Sequence, residues 1–230
     1  MNLLAIDTSS RATVLGLQSG GEIIDRTRTV EKSHSREVLP AIDALLSEAG
    51  LVPAQLDAVV YGRGPGSFTG LRIAVGVVQG LCFGLDIPAV PVSSMACLAQ
   101  SLSGKVAPDA HVLVALTARL EEIYFGIYRF SEDLAVEVIP EGVIDVSLLP
   151  GQSELRQHDW YGIGNAWSLK DKMSLALGIS FIETRTADCP DVRNLLCIGA
   201  SNFQNGQGIP ASQAAPVYLR EEVASRPGDR

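Results

Sequence analysis

The order in which the apolar runs change period constrains this chain most. Residues 3 to 30 hold three runs of strand character, LLAID, TVLGLQ and GEIIDRTRTV. The turn-prone TSSRA separates the first two, and the hairpin signal Ser19-Gly20-Gly21 separates the last two. Only then does a helical period begin. Over 35–49, Val38, Leu39, Ile42, Leu45, Leu46 and Ala49 fall on one arc, with Arg36, Asp43 and Ser47 opposite and Gly50 as the stop. Pro40 predicts a late start or a kink. Strands and helices then alternate: DAVVYG (57–62), a helix over 68–85, IPAVPV (87–92) and a helix over 93–102. The order is β-β-β-α-β-α-β-α.

The second half partly repeats it. HVLVAL (111–116), EIYFGIYRF (122–130) and AVEVIPEGVI (135–144) read as three further strands. After them come DWYGIG (159–164), a helix over 166–177, SFIE (180–183) and a helix over 190–204. Two halves that each open on three strands predict an α/β chain of two related domains, the second a degenerate copy. The linker SGKVAPDA (103–110) places the boundary, giving domains at 1–106 and 107–215 and a tail at 216–230.

Composition narrows the function classes. Hydrophobic residues reach 47% and charged ones 19%, which predicts a large core and an apolar face left for a partner. The net charge of −8 repels phosphate backbones, so the chain is a poor candidate for gripping nucleic acid alone. The longest apolar stretch, Ile73 to Leu85, is about 13 residues against the roughly 20 of a membrane span. The opening MNLLAIDTSS lacks the basic start of a signal peptide, and the expectation is a cytoplasmic chain with no membrane partner. The cysteines at 82, 97, 189 and 197 and the histidines at 34, 111 and 158 have no metal-site spacing.

The glycine-rich loop GRGPGSFTG (62–70) fails each catalytic pattern on a required residue. Leu71 and Arg72 follow Gly70, so no lysine is placed as in a phosphate-binding P-loop. Ser67 or Thr69 stands where a dinucleotide fingerprint needs glycine, and Pro65 and Thr69 flank Ser67 where a nucleophile elbow needs glycines. A tight loop opening a helix and capped by Ser67 or Thr69 remains, a turn for close packing ahead of a weak anion site. Asp7, Thr8 and Ser9, between the first two strands, are the candidate phosphate loop; alone they read as an Asx turn.

The helix over 68–85 is apolar on two faces. Thr69, Ile73, Gly76, Val77, Gly80 and Gly84 share one; Leu71, Val75, Val78, Cys82 and Leu85 share the other, with Arg72 and Gln79 as a polar stripe. Each of the three glycines costs about 1 kcal/mol of helix propensity relative to alanine, which close approach by another helix would offset. One face can cover the chain's own sheet. The other needs a neighbour, either the first helix or a partner.

NLLAIDTSS, HSREVLPAI, YGRGPGSFTGLRIAVGVVQGL and PVYLREEVA, with ALTARLEEIYFGIY in the middle, together resemble the bacterial TsaB (YeaZ) family. The likeness runs from residue 2 to about 100 and resumes at 216–224, and the stretch 57–81 is the specific part. It implies a fold of the actin/hsp70/sugar-kinase type and a structural relation to the catalytic subunit TsaD. It also implies a non-catalytic scaffold or activating subunit. That subunit forms a heterodimer with TsaD and acts with TsaE in threonylcarbamoyl transfer to the anticodon-adjacent adenosine of ANN-reading tRNAs. The tRNA is reached only through the complex, and the chain alone is expected to homodimerise. No cofactor of its own is implied, with ATP or ADP the candidate ligand at the partner interface and Asp7, Thr8 and Ser9 a vestigial phosphate loop. Val38 stands four residues after His34 where the catalytic relative has a second histidine, and Thr117-Ala118-Arg119 stands where the family commonly has Asp-Ala-Arg. The docking surface expected is Val38, Ile42 and Leu45 with Thr69, Ile73, Gly76, Val77, Gly80 and Gly84. The alternative is an active ATPase or small-molecule kinase of the same fold, supported by Asp7-Thr8-Ser9.

Overall fold

A computed structural model of the chain describes residues 1–29, 34–151 and 157–219 and builds two sheets. In the first, β1 (Leu3–Asp7) runs antiparallel to β2 (Ala12–Ser19), which pairs antiparallel with β3 (Glu22–Asp25). On its other side β1 pairs parallel with β5 (Ala58–Gly62), and β5 pairs parallel with β6 (Ala89–Val92). The third predicted strand is broken. The Thr27 amide turns back to Asp25 Oδ1 at 2.7 Å, and a short β4 (Arg28–Thr29) resumes pairing with β2. The second sheet repeats these relations. β7 (His111–Arg119), β8 (Glu122–Ser131) and β9 (Leu134–Asp145) pair antiparallel in turn, and β7, β10 (Trp160–Gly164) and β11 (Phe181–Thr186) pair parallel.

The helices depart from a strict repeat. Between β9 and β10, where the first half has α1 (His34–Glu48), the described residues include a 3-10 turn at Val146–Leu148 and no α-helix. The helix expected over 166–177 is a 3-10 turn at Trp167–Leu169 followed by α4 (Lys170–Leu177). α1 starts at His34 and runs through Pro40, so the expected late start does not occur.

One face of the first sheet is covered by α1 and by α2 (Phe68–Leu85). Leu4, Ile6, Leu15, Leu17, Val59 and Tyr61 meet Val38, Ile42 and Leu45 from α1 and Ala74, Val75, Val78 and Cys82 from α2. This corrects three of the nine residues of the expected docking surface. Val38, Ile42 and Leu45 are core residues, and turning them outward would forfeit about 1.5–3 kcal/mol each of burial.

The other face is covered from the far half of the chain. α5 (Val192–Gln204) lays Val192, Leu195, Leu196 and Ile198 over Leu3, Ala5, Val60 and Val90 of the first sheet. In exchange, α3 (Ser94–Gln100) packs Met95, Leu98 and Ala99 against Val112, Val114 and Tyr128 of the second. The boundary at 106/107 therefore divides the chain without dividing the packing. Each sheet borrows a helix from the other half.

At 18 residues and a mean hydropathy of 1.6, α2 is long and apolar enough, by length and composition alone, to cross a membrane. Its inner face, however, is the cover of the first sheet.

Candidate functional site

α2 starts where Ser67 Oγ accepts the Gly70 amide at 3.2 Å, an N-cap. Leu71, Ala74, Val75, Val78 and Cys82 then face the sheet. Thr69, Gly76, Gly80 and Gly84 are exposed, with Ile73 and Val77 half-buried along the margin. A Cβ built at Gly76, Gly80 or Gly84 would touch nothing within 4 Å. Among the described residues nothing covers the glycine face, α1 included. Sequence reasoning missed two large side chains on this outward arc, Phe83 (86% exposed) and Phe68 (44%). Their signal was present, since Phe83 stands three residues after Gly80 and seven after Gly76.

The polar stripe is engaged by the chain's own C-terminal segment. Gln79 Nε2 donates to the Ala214 carbonyl at 2.8 Å, and Arg72 Nε donates to the Tyr218 hydroxyl at 3.0 Å. The Arg72 guanidinium lies 3.9 Å from the Phe68 ring centroid. Residues 220–224 of the PVYLREEVA motif lie outside the described residues.

The glycine loop and the β1–β2 turn are built against each other. Thr8 Oγ1 donates to the Gly70 carbonyl at 2.7 Å, and the Ser67 amide donates to the Ser9 carbonyl at 2.7 Å. A Cβ at Gly62 would overlap the Asp7 carboxylate, and one at Gly70 would overlap the Thr8 carbonyl. The glycines are there for close approach. A cleft of about 630 Å³ opens between the two sheets beside this junction, and Ser9, Ser67, Ser94, Thr117 and Asn165 contribute to its wall. Of the candidate phosphate loop, Ser9 reaches that wall; Asp7 and Thr8 are fully buried behind it. The Thr117 amide donates to Asn165 Oδ1 at 2.8 Å, so the backbone around the position expected for an acid is held by an amide side chain.

A family model described as TsaD: tRNA N6-adenosine threonylcarbamoyltransferase matches residues 26–226, most of the chain. The chain belongs to the TsaD family.

Several relatives carry the TsaB name. The tRNA threonylcarbamoyladenosine biosynthesis protein TsaB of Escherichia coli K12 is 29% identical over 225 residues, covering 97% of this chain and 96% of its own. Two solved structures from Pseudomonas aeruginosa share the fold over 95% of this chain and 99% of theirs. One, described as an uncharacterized protein with similarity to peptidase YEAZ, aligns with a TM-score of 0.86 at 34% identity. The other, YeaZ, aligns with a TM-score of 0.84 at 33% identity. The likeness to TsaB (YeaZ) carried by the motifs is thereby shown.

Arg11 and Asp188 are the charged residues among the described ones lining the cleft. No group of three His, Cys, Asp or Glu side chains able to hold a metal ion occurs among the described residues. Val38 is sealed in the core, so its position offers nothing to a ligand.

Proposed function

We propose that this chain is the scaffold or activating subunit that pairs with TsaD, with TsaE, in threonylcarbamoyl transfer to the anticodon-adjacent adenosine of ANN-reading tRNAs. The open face of α2 carries the proposal. An 18-residue helix keeps Gly76, Gly80 and Gly84 solvent-facing at a propensity cost of about 1 kcal/mol each, with nothing among the described residues seated on them. Close packing by a helix from another subunit offsets that cost. The docking residues in this reading are Thr69, Ile73, Gly76, Val77, Gly80 and Gly84, joined by Phe83. A second copy of the chain takes the same face when TsaD is absent, which gives the homodimer. The net charge of −8 leaves tRNA contact to the other subunits, and the chain works in the cytoplasm.

In this reading the cleft holds no magnesium nucleotide of the chain's own. The Asp7 carboxylate accepts hydrogen bonds from the Ser9 amide and the Ser94 hydroxyl, the Thr8 hydroxyl is spent on Gly70, and Arg11 is the one cation among the described lining residues. Any ATP or ADP sits where TsaD completes the site. Mixing the purified chain with TsaD and weighing the complex tests the pairing; a 1:1 heterodimer that displaces the homodimer is expected. The rival kinase or ATPase predicts steady phosphate release by the pure chain with ATP and magnesium, and finding it would replace this reading.

A further inference from the structure

A buried carboxylate outside the cleft joins the two halves. Across from Gly126 on β8, β9 places two residues, Pro140 and Glu141, because pairing jumps from Ile127↔Ile139 to Phe125↔Gly142. That is a bulge, and bulges re-aim side chains. Here the amide of Glu141 is taken up by Glu137 Oε1 at 2.9 Å, and the side chain, 4% exposed, leaves the second sheet for the first. Three donors from three elements meet it. Arg63 Nη2, in the glycine loop after β5, lies 3.2 Å from Oε2. The Tyr128 hydroxyl on β8 donates to Oε1 at 2.5 Å, and the Ser93 hydroxyl donates to the same oxygen. Burial and the neighbouring Glu141 charge hold the Tyr128 phenol well above its ordinary pKa of 10.0, so it stays a donor. Ser93 is also the N-cap of α3, accepting the Met95 and Ala96 amides at 3.0 and 3.1 Å.

We propose that Glu141 is a positioning residue: presented by the β9 bulge, it ties the second sheet to the glycine loop and so sets how α2, which leaves that loop, is presented to its partner. Arg63 is the lever. Its amide donates to the Val92 carbonyl at 2.8 Å and its carbonyl accepts the Val217 amide at 2.8 Å, so the residue gripped by Glu141 is locked to β6 and to the C-terminal segment as well. Five residues further on, Phe68 begins α2. The carboxylate is required, because a glutamine that still accepts from Tyr128 and Ser93 sets its NH₂ against the Arg63 guanidinium, and one flipped to accept from Arg63 turns its NH₂ on both hydroxyls.

The proposal rests on α2 being the docking helix, and its test separates the two. Hydrogen exchange is measured on the full chain for Glu141→Gln, Arg63→Gln and the double variant, together with affinity for TsaD and with Gly80→Leu as reference. The expected result is exchange at least tenfold faster at the Arg63 and Ser67 amides in each single variant. No further increase is expected in the double, with the β7–β8 strand amides unchanged and TsaD binding weakened about tenfold. Acceleration spread equally over the loop and the β7–β8 strands, or none at the loop, overturns the tie. A loosened loop with intact TsaD binding, while Gly80→Leu weakens it, overturns the link to α2. If neither Glu141→Gln nor Gly80→Leu affects binding, the docking reading fails instead.

Discussion

The hydroxyl of Ser94 donates to Oδ2 of Asp7 across 2.8 Å, joining the start of α3 to the end of β1. Oδ1 of the same carboxylate accepts the Ser9 amide at 2.6 Å, which closes the turn between β1 and β2. Asp7 is fully buried and works as a structural acid at the corner where the exchanged helix α3 meets the first sheet. Asp7→Ala should therefore cost about 2–3 kcal/mol of stability, the loss expected when buried donors to a charged acceptor are left without it. Urea unfolding measures the change. A fully stable Asp7→Ala chain that loses a steady ATPase would instead mark Asp7 as a phosphate-site residue.

Glycines on the two sides of the loop should respond oppositely to the same change. Gly62→Ala pushes a methyl into the Asp7 carboxylate and should destabilise by about 1–3 kcal/mol. Gly76→Ala meets open space and should stabilise the free chain by up to about 1 kcal/mol through helix propensity. Thermal melts of the two variants, one falling and one rising, check both. Equal losses would show that the outer face of α2 is packed.

Acid should loosen the second sheet. His111 is 5% exposed, its ring tilted against those of His158 and Trp160 at centroid distances of 4.3 and 5.3 Å, with no hydrogen-bond partner for Nδ1 among the described residues. Burial first, then the neighbouring His158, holds its pKa below the ordinary 6.5. The unfolded chain thus takes up a proton that the folded chain refuses. Stability should fall as pH drops below about 6.5, until the folded-state pKa is passed. His111→Phe should flatten that slope in denaturant titrations between about pH 6.5 and 5.5. An unchanged slope would place its source elsewhere.

Thiol labelling should sort the cysteines by burial. Cys82 is buried and its thiol is pushed up to about 11, and the fully buried Cys97 is pushed well above the ordinary 9.0. Cys197 is exposed on α5. An alkylating reagent at mild alkaline pH should modify Cys197 first and leave Cys82 and Cys97 unmodified until denaturant is added. Early labelling of Cys82 would mean that α2 leaves its sheet.

Much of the fold was legible because the elements announce themselves locally. The period change at α1, the glycine loop and the bounds of α2 all follow from spacing and capping, and α2 spans the predicted residues. What failed was non-local. The apolar arc of α1 says only that Val38, Ile42 and Leu45 need cover, and nothing in their spacing tells a sheet of the same chain from another subunit. The exchange of α3 and α5 between sheets was invisible because each helix simply follows its own strand in sequence. Asp7-Thr8-Ser9 reads the same whether its oxygens face a phosphate or the backbone of Gly70, and the Thr8 contact with Gly70 comes from a loop more than sixty residues away in sequence. Glu141 carried no motif, since its role comes from a bulge that pairing alone reveals.

The affinity of Gly80→Leu for TsaD tests the docking face of α2 most directly. A leucine at Gly80 projects into open space in the free chain, so circular dichroism should be unchanged and the melting temperature equal or slightly higher. Against a partner helix the same side chain holds the two backbones apart, and overpacking of about 1–3 kcal/mol corresponds to roughly tenfold to a hundredfold weaker binding. Leu175→Gln, at an exposed position on α4, is the control that should bind normally. A folded Gly80→Leu chain that binds TsaD as tightly as the parent would contradict the assignment and place the interface on another face.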